Sequence, residues 1–144
     1  MKAAVRTGWT GFALEFWDLV EQPQLSKGAK DTCLVQVHAT GLNPVDYKLP
    51  KLVLGKVFGL EFCGTVVDVS EDAAERFPVG TAVMGPVQVG CSGSVAKCAL
   101  SQASKLVALP KGWTVEDGAG FSIAACAALH GFAQAGVLTP QQHP

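Results

Sequence analysis

The sequence has 144 residues, of which 49% are hydrophobic and 16% are charged, with a formal net charge of -1 at pH 7. A chain of this length can bury the core of one domain but hardly those of two, and its apolar content excludes a disordered chain. The low net charge, without a basic run, gives no support to nucleic-acid binding. No apolar stretch is as long as a membrane span and no signal-like segment is seen, so we expect a cytoplasmic protein without a membrane partner.

The first three quarters of the sequence are typical of short strands separated by glycine and proline turns. Strands are predicted at 2–6, 14–19, 32–40, 57–69, 81–85, 95–100 and 106–109. Thr10 and Gly11 predict the turn of a hairpin between the first two strands, and Gly59 and Gly64 predict bends within the fourth. This pattern favours a mainly β fold, as a barrel or a sandwich.

A helical pattern follows Pro110. Thr114 is predicted to cap a helix with acidic residues in its first turn, residues 119–135 are helical, and Gly136 is a plausible C-terminal cap. This helix is apolar on nearly every side, so it requires covering partners, and we infer a neighbour outside the sequence. We divide the chain into one domain at 1–136 and a polar linker or truncation point at 137–144.

The cysteines and histidines give little indication of a metal site or of disulfide bonds. The five cysteines are an odd number, widely scattered, and lack zinc-finger spacing, so they are predicted to be reduced thiols. His38, His130 and His143 are better explained as structural or solvated residues than as metal ligands. The patterns GxSxG, GxGxxG and Walker A do not occur, so the chain carries no nucleophile elbow and no phosphate cradle of its own.

Two polar clusters lie at the ends of predicted strands. In the first, Asn43 and Asp46 have a structural explanation, because Asn-Pro pairs start turns and Asp46 can cap the helical turn that follows. Tyr47 and Lys48 are candidate proton donors or substrate-orienting groups. In the second, Glu61 lies in an apolar run, where an unpaired carboxylate is costly, so it either pairs with a basic or amide group or lies in a cleft.

Five segments in order resemble the medium-chain dehydrogenase/reductase family. They are residues 39–48, 58–67, 77–85, 103–107 and 109–113. The resemblance implies the N-terminal GroES-like catalytic domain, a partly open β-barrel with short helices and a C-terminal apolar helix. A Rossmann domain is expected to follow it and to hold most of the NADPH or NADH.

The resemblance also separates the two branches of that family. Where zinc alcohol dehydrogenases would carry cysteine, histidine and a third ligand, this chain has Asn43, Leu60 and Ile123. An amide, a leucine and an isoleucine cannot replace thiolate and imidazole ligands. The resemblance therefore implies the zinc-independent branch of quinone oxidoreductases, with no metal.

By the same resemblance, Asn43 lies near the nicotinamide and the substrate carbonyl, and Tyr47 or Lys48 orients the substrate or relays a proton. Asp46 and Glu61 support the site from behind. Ala127 stands where relatives often carry a threonine near the nicotinamide.

The implied function is the substrate-binding domain of an NAD(P)H-dependent oxidoreductase that reduces quinones, enones or enoyl thioesters. The 144 residues alone are expected to be inactive. The alternative is a GroES-like module that binds or assembles without chemistry. The expected partner is a small-molecule substrate. A homodimer of the full-length protein is an alternative that the sequence does not decide.

Overall fold

A computed structural model describes residues 1–7, 14–48, 53, 55–90 and 93–137. The strands are β1 (Ala3–Arg6), β2 (Leu14–Trp17), β3 (Thr32–Gly41), β4 (Glu61–Val69), β5 (Ala82–Pro86), β6 (Cys98–Gln102) and β7 (Val107–Ala108). The helices are α1 (Pro44–Lys48), α2 (Val115–Ala119) and α3 (Ser122–Gln134), with 3-10 turns at Glu71–Ala73 and Ala103–Lys105. The predicted turn at Thr10 and Gly11 and residues 138–144 of the predicted linker lie outside the described residues.

The main sheet has five antiparallel strands in the order β6-β3-β4-β5-β7, and β1 pairs with β2 in the predicted hairpin. The hairpin joins the main body through β1, because the Ala4 N–H donates to the Val95 carbonyl at 2.8 Å and the Phe58 N–H donates to the Ala4 carbonyl at 2.9 Å. Within the described residues the sheet stays partly open, since β6 and β7 lie at its two edges. The mainly β, partly open architecture is the predicted one.

The two predicted bends in the fourth strand have different outcomes. Gly59 has a φ of 92°, a conformation that favours glycine, and it lies before the start of β4. Gly64 lies inside β4, where the pairing with β3 shifts register between Val37 and Ala39. A Cβ at Gly64 would contact the Gln36 carbonyl of β3, so this glycine permits close approach of two strands.

Most of the core is one large cluster of buried side chains. It contains Val35 of β3, Phe62 and Val66 of β4, Val83 of β5, and Leu106. Burying side chains of this size stabilises the fold by about 1.5–3 kcal/mol each. The strand that carries Glu61, β4, is therefore also a central part of the buried core.

The helix predicted to run from the Thr114 cap through residues 119–135 is two helices. Gly120 ends α2, and α3 begins at Ser122. Both predicted caps are confirmed: the Thr114 hydroxyl accepts from the Asp117 N–H, and Gly136 has a φ of 71°. Residues 126–137 are all exposed, so the described residues leave most of this apolar helix uncovered.

None of the helices in the described part of the chain is long and apolar enough to cross a membrane. Four of the five cysteines fall within the described residues, and all four are free thiols. Three of them are buried, which fits their use as small apolar side chains.

Candidate functional site

The loop between β3 and α1 fixes Asn43. Pro44 occupies the first helical position, where a missing N–H costs nothing. The Asp46 carboxylate accepts from the Asn43 backbone N–H at 2.7 Å, so Asp46 holds the start of this helix from inside its first turn, whereas the sequence predicted that it would cap a turn that follows it. The Asn43 side chain is therefore not needed for the cap, and its Nδ2 donates instead to Glu61 Oε1 at 2.8 Å.

Glu61 is the centre of the cluster. Only 1% of its surface is exposed, yet its carboxylate is fully engaged. Oε1 accepts from the Asn43 amide, and Oε2 accepts from the Ser122 hydroxyl at 2.6 Å and the Ile123 N–H at 2.8 Å. The prediction that Glu61 pairs with an amide group is confirmed. The carboxylate thereby connects the β3–α1 loop with the start of α3.

Ser122 is a member of this cluster that the sequence analysis missed. It is the first residue of α3, and its hydroxyl points back to β4. The available signal was weak: one hydroxyl at the beginning of an apolar helical segment. Nothing in the sequence shows which acceptor, 61 residues away, it would meet.

Arg6 lies behind the cluster and was also missed. It is 1% exposed, and its guanidinium donates to the Asp46 backbone carbonyl at 2.7 Å and to the Gly55 carbonyl at 3.3 Å. Its Cζ lies 4.8 Å from the centre of the Phe58 ring, a cation–π arrangement. Burial lowers the pKa of Arg6, and the nearby Asp46 charge partly offsets this. Arg6 Nε and Asp46 Oδ1 are buried without a hydrogen-bond partner.

Burial also shifts the pKa of the Asp46 carboxyl. It is fully buried, and burial raises the pKa of its carboxyl, while the Asn43 N–H and the Arg6 charge pull the pKa down. A raised pKa means that the folded protein favours the protonated carboxyl more than the unfolded chain does. The contribution of Asp46 to stability is therefore present at acid pH and is lost as pH rises through the raised folded pKa.

This predicts a difference in pH dependence between the wild-type chain and Asp46→Asn. Asparagine keeps an oxygen that can accept from the Asn43 N–H but does not titrate. We expect the stability advantage of the wild type over the variant to be largest at acid pH and to shrink toward neutral pH, as measured by urea denaturation. Asp18→Asn, at an exposed carboxylate, is the control. Parallel pH profiles of wild type and Asp46→Asn would contradict the assigned acidity.

The remaining predicted site residues lie on the surface. Tyr47 is 41% exposed and Lys48 is exposed, both at the end of α1. Ala127 is exposed on α3. The structure thus brings Asn43 and Glu61 into direct contact with Asp46 beneath them, whereas the roles of Tyr47, Lys48 and Ala127 stay predictions.

A cavity adjoins the polar cluster. It has a volume of about 540 Å³ and lies between α3 and the strands β5 and β7. Its lining is mainly apolar and includes Met84, Phe121 and Leu129. Ser122, whose hydroxyl donates to Glu61, is also a lining residue. Mainly apolar cavities of this size with few polar groups are the usual form of small-molecule sites.

The residues at the expected zinc-ligand positions do not fit zinc. The Asn43 amide donates to Glu61, Leu60 is a buried hydrocarbon side chain, and Ile123 contributes only its backbone N–H. Among the described residues, no group of three or more His, Cys, Asp or Glu side chains is placed to hold a metal ion. Zinc in proteins requires thiolate, imidazole or carboxylate ligands.

Comparison with known proteins places the chain in context. The model of the alcohol dehydrogenase GroES-like domain family matches residues 29–143. A reducing polyketide synthase of Alternaria solani is 32% identical over 111 residues, which cover 74% of this chain and 5% of the synthase. A chloroplastic quinone-oxidoreductase homolog of Spinacia oleracea is 29% identical over 112 residues, which cover 72% of this chain and 34% of that protein.

Solved structures agree on the fold. A mycobacterial protein solved in complex with NADPH is 24% identical and superposes with a TM-score of 0.75, over 96% of this chain and 43% of that chain. The chain thus spans about a third of the spinach protein and less than half of this structural neighbour. At this level of identity the superposition carries the fold alone.

Proposed function

The chain belongs to the alcohol dehydrogenase GroES-like domain family, within the medium-chain dehydrogenases and reductases, and from this membership we propose that it is the substrate-binding domain of a zinc-independent, NAD(P)H-dependent oxidoreductase. The proposed substrates are quinones, enones or enoyl thioesters. The names of two relatives support an oxidoreductase, since one is a quinone-oxidoreductase homolog and the other a reducing polyketide synthase, and the first of them supports quinones. Cytoplasmic location stays a prediction.

The observation that carries this proposal is the bond between Asn43 and the buried Glu61. An amide held by a carboxylate occupies the position where the zinc branch would place a metal ligand. Only one hydrogen of Asn43 Nδ2 is needed for Glu61, so the other is available to a substrate oxygen. Such a preorganised donor stabilises negative charge that develops on an acceptor oxygen during reduction.

The nicotinamide supplies the hydride when it is bound. We propose that this cofactor is held mainly by a nucleotide-binding domain outside the 144 residues, because the sequence carries neither GxGxxG nor a Walker loop. The chain alone should then bind NADPH weakly and turn over little. Tight NADPH binding by residues 1–144 in calorimetry would contradict this part of the proposal.

The test uses the full-length protein that contains this domain. We expect NADPH oxidation with at least one member of a panel of quinones, enones and enoyl thioesters, and no stoichiometric zinc in the purified enzyme. Asn43→Leu should lower kcat by about 10²-fold, the loss seen when one such donor is removed. Gln24→Leu, an exposed amide lost elsewhere, is the control.

Three outcomes decide against parts of the proposal. A well-folded full-length protein that is inactive on the whole panel would favour a binding module without chemistry. Stoichiometric zinc would favour the zinc branch. Equal activity of Asn43→Leu and the control would remove Asn43 from the chemistry.

A further inference from the structure

Glu61 receives more donors than it has oxygens. Its two oxygens accept from the Asn43 amide, the Ser122 hydroxyl and the Ile123 N–H. An ionised carboxylate can accept hydrogen bonds but cannot donate them. The NH₂ end of the Asn43 amide must therefore face Glu61, and the Asn43 carbonyl oxygen must point elsewhere.

Packing also holds the carboxylate in place. A Cβ at Gly41 would contact the Ala119 carbonyl and would lie 2.5 Å from Glu61 Oε1. The space beside Glu61 is thus filled by the last residue of β3 and the end of α2. With its oxygens bonded and its side packed, the carboxylate has no room to turn.

We propose that Glu61 is a positioning residue that sets the polarity of the Asn43 amide. Its charge decides which end of the amide faces away from it, and Oε2 ties that orientation to the first turn of α3. The significance for catalysis rests on the proposed function, but the orientation itself does not. A residue with only a structural role would hold α3 without fixing which way the Asn43 amide points.

Glu61→Gln separates these two roles, because it keeps the shape and removes the charge. A glutamine supplies one accepting oxygen, and two donors, Ser122 and Ile123, meet at the same oxygen of Glu61. If the glutamine oxygen stays with them, its NH₂ group faces Asn43. The Asn43 amide must then reverse and accept with its own oxygen, which keeps every hydrogen bond of the cluster.

The experiment is NMR of the side-chain amide of Asn43 in isotopically labelled chain. In the wild type we expect one Asn43 NH₂ proton to be shifted downfield and slow to exchange with water, as for a bond to a carboxylate. In Glu61→Gln that shift and that protection should be lost while the fold is kept. Glu75→Gln, at an exposed carboxylate, is the matched control and should leave both unchanged. Unaltered Asn43 protons in a folded Glu61→Gln variant would overturn the proposal.

A second measurement keeps the test decisive if Glu61→Gln folds poorly. Asn43→Asp places two carboxylates against each other and should lower the Tm. Adding Glu61→Gln should raise the Tm again, because the introduced glutamine can donate to the new carboxylate while its oxygen keeps Ser122 and Ile123. Failure of the second change to recover any of the loss would overturn the proposal. Neither readout involves turnover, so inactivity of the enzyme would count against the proposed function alone.

Discussion

We expect Glu61→Ala to lower the free energy of unfolding by about 3–5 kcal/mol. This is a larger loss than the one expected below for Gly41→Ala. The substitution leaves the Asn43 amide, the Ser122 hydroxyl and the Ile123 N–H without their acceptor. A buried donor without a partner costs about 1–3 kcal/mol. Water that enters the space left by the side chain lowers this cost, because it accepts hydrogen bonds from some of the donors. Equilibrium urea denaturation of the chain measures the loss.

Glu75→Ala is the matched control for this result. Glu75 is exposed, and its removal should change the free energy of unfolding by no more than about 0.5 kcal/mol. Equal losses for the two glutamates would show that the hydrogen bonds of Glu61 contribute nothing beyond an ordinary surface residue. A folded Glu61→Ala variant with wild-type stability would contradict the cluster as described.

We expect Gly41→Ala to destabilise the fold by about 2–3 kcal/mol, near the upper end for overpacking a well-filled site. The new methyl group would meet the Ala119 carbonyl, which is backbone, and Glu61 Oε1, which is held by its own hydrogen bonds. Since neither neighbour can move freely, β3 and α2 must separate. Thermal and urea unfolding of the variant measure the cost.

Gly131→Ala makes the same chemical change where the structure leaves space. Gly131 lies inside α3, and apart from its chain neighbours and the backbone of the helix itself no atom lies within 4 Å of the added methyl group. Alanine favours the helix over glycine by about 0.5–1 kcal/mol, so this variant should be more stable than the wild type. A Gly41→Ala variant as stable as the wild type, or more stable, would contradict the close packing around Gly41.

Much of the fold could be predicted because its signals are local. Short β-branched runs between glycine and proline turns predict strands, and Thr114 and Gly136 predict helix ends through their own geometry. The break between α2 and α3 was not predicted, although Gly118 and Gly120 have the low helix propensity that favours a break. The contacts of β4 with α3 decide where the second helix begins.

The candidate site was predictable to a similar degree. A carboxylate in an apolar run must find a partner, so the pairing of Glu61 followed from its neighbours in the sequence. Arg6 and Ser122 did not, because they reach the cluster only through tertiary contacts with residues far along the chain. An arginine in a first strand and a serine before an apolar helix have many equally ordinary explanations.

The cap of α1 has a consequence for how this site can change. Because Asp46 accepts the hydrogen bond that starts the helix, residue 43 contributes only its backbone to that start. A substitution at residue 43 should therefore keep the hydrogen bond that begins the turn, but it changes the donor that the buried Glu61 accepts from. The start of the turn and the pairing of Glu61 thus depend on different side chains three positions apart. A scaffold built in this way can change the group at residue 43 when position 61 changes with it, while Asp46 continues to hold the turn.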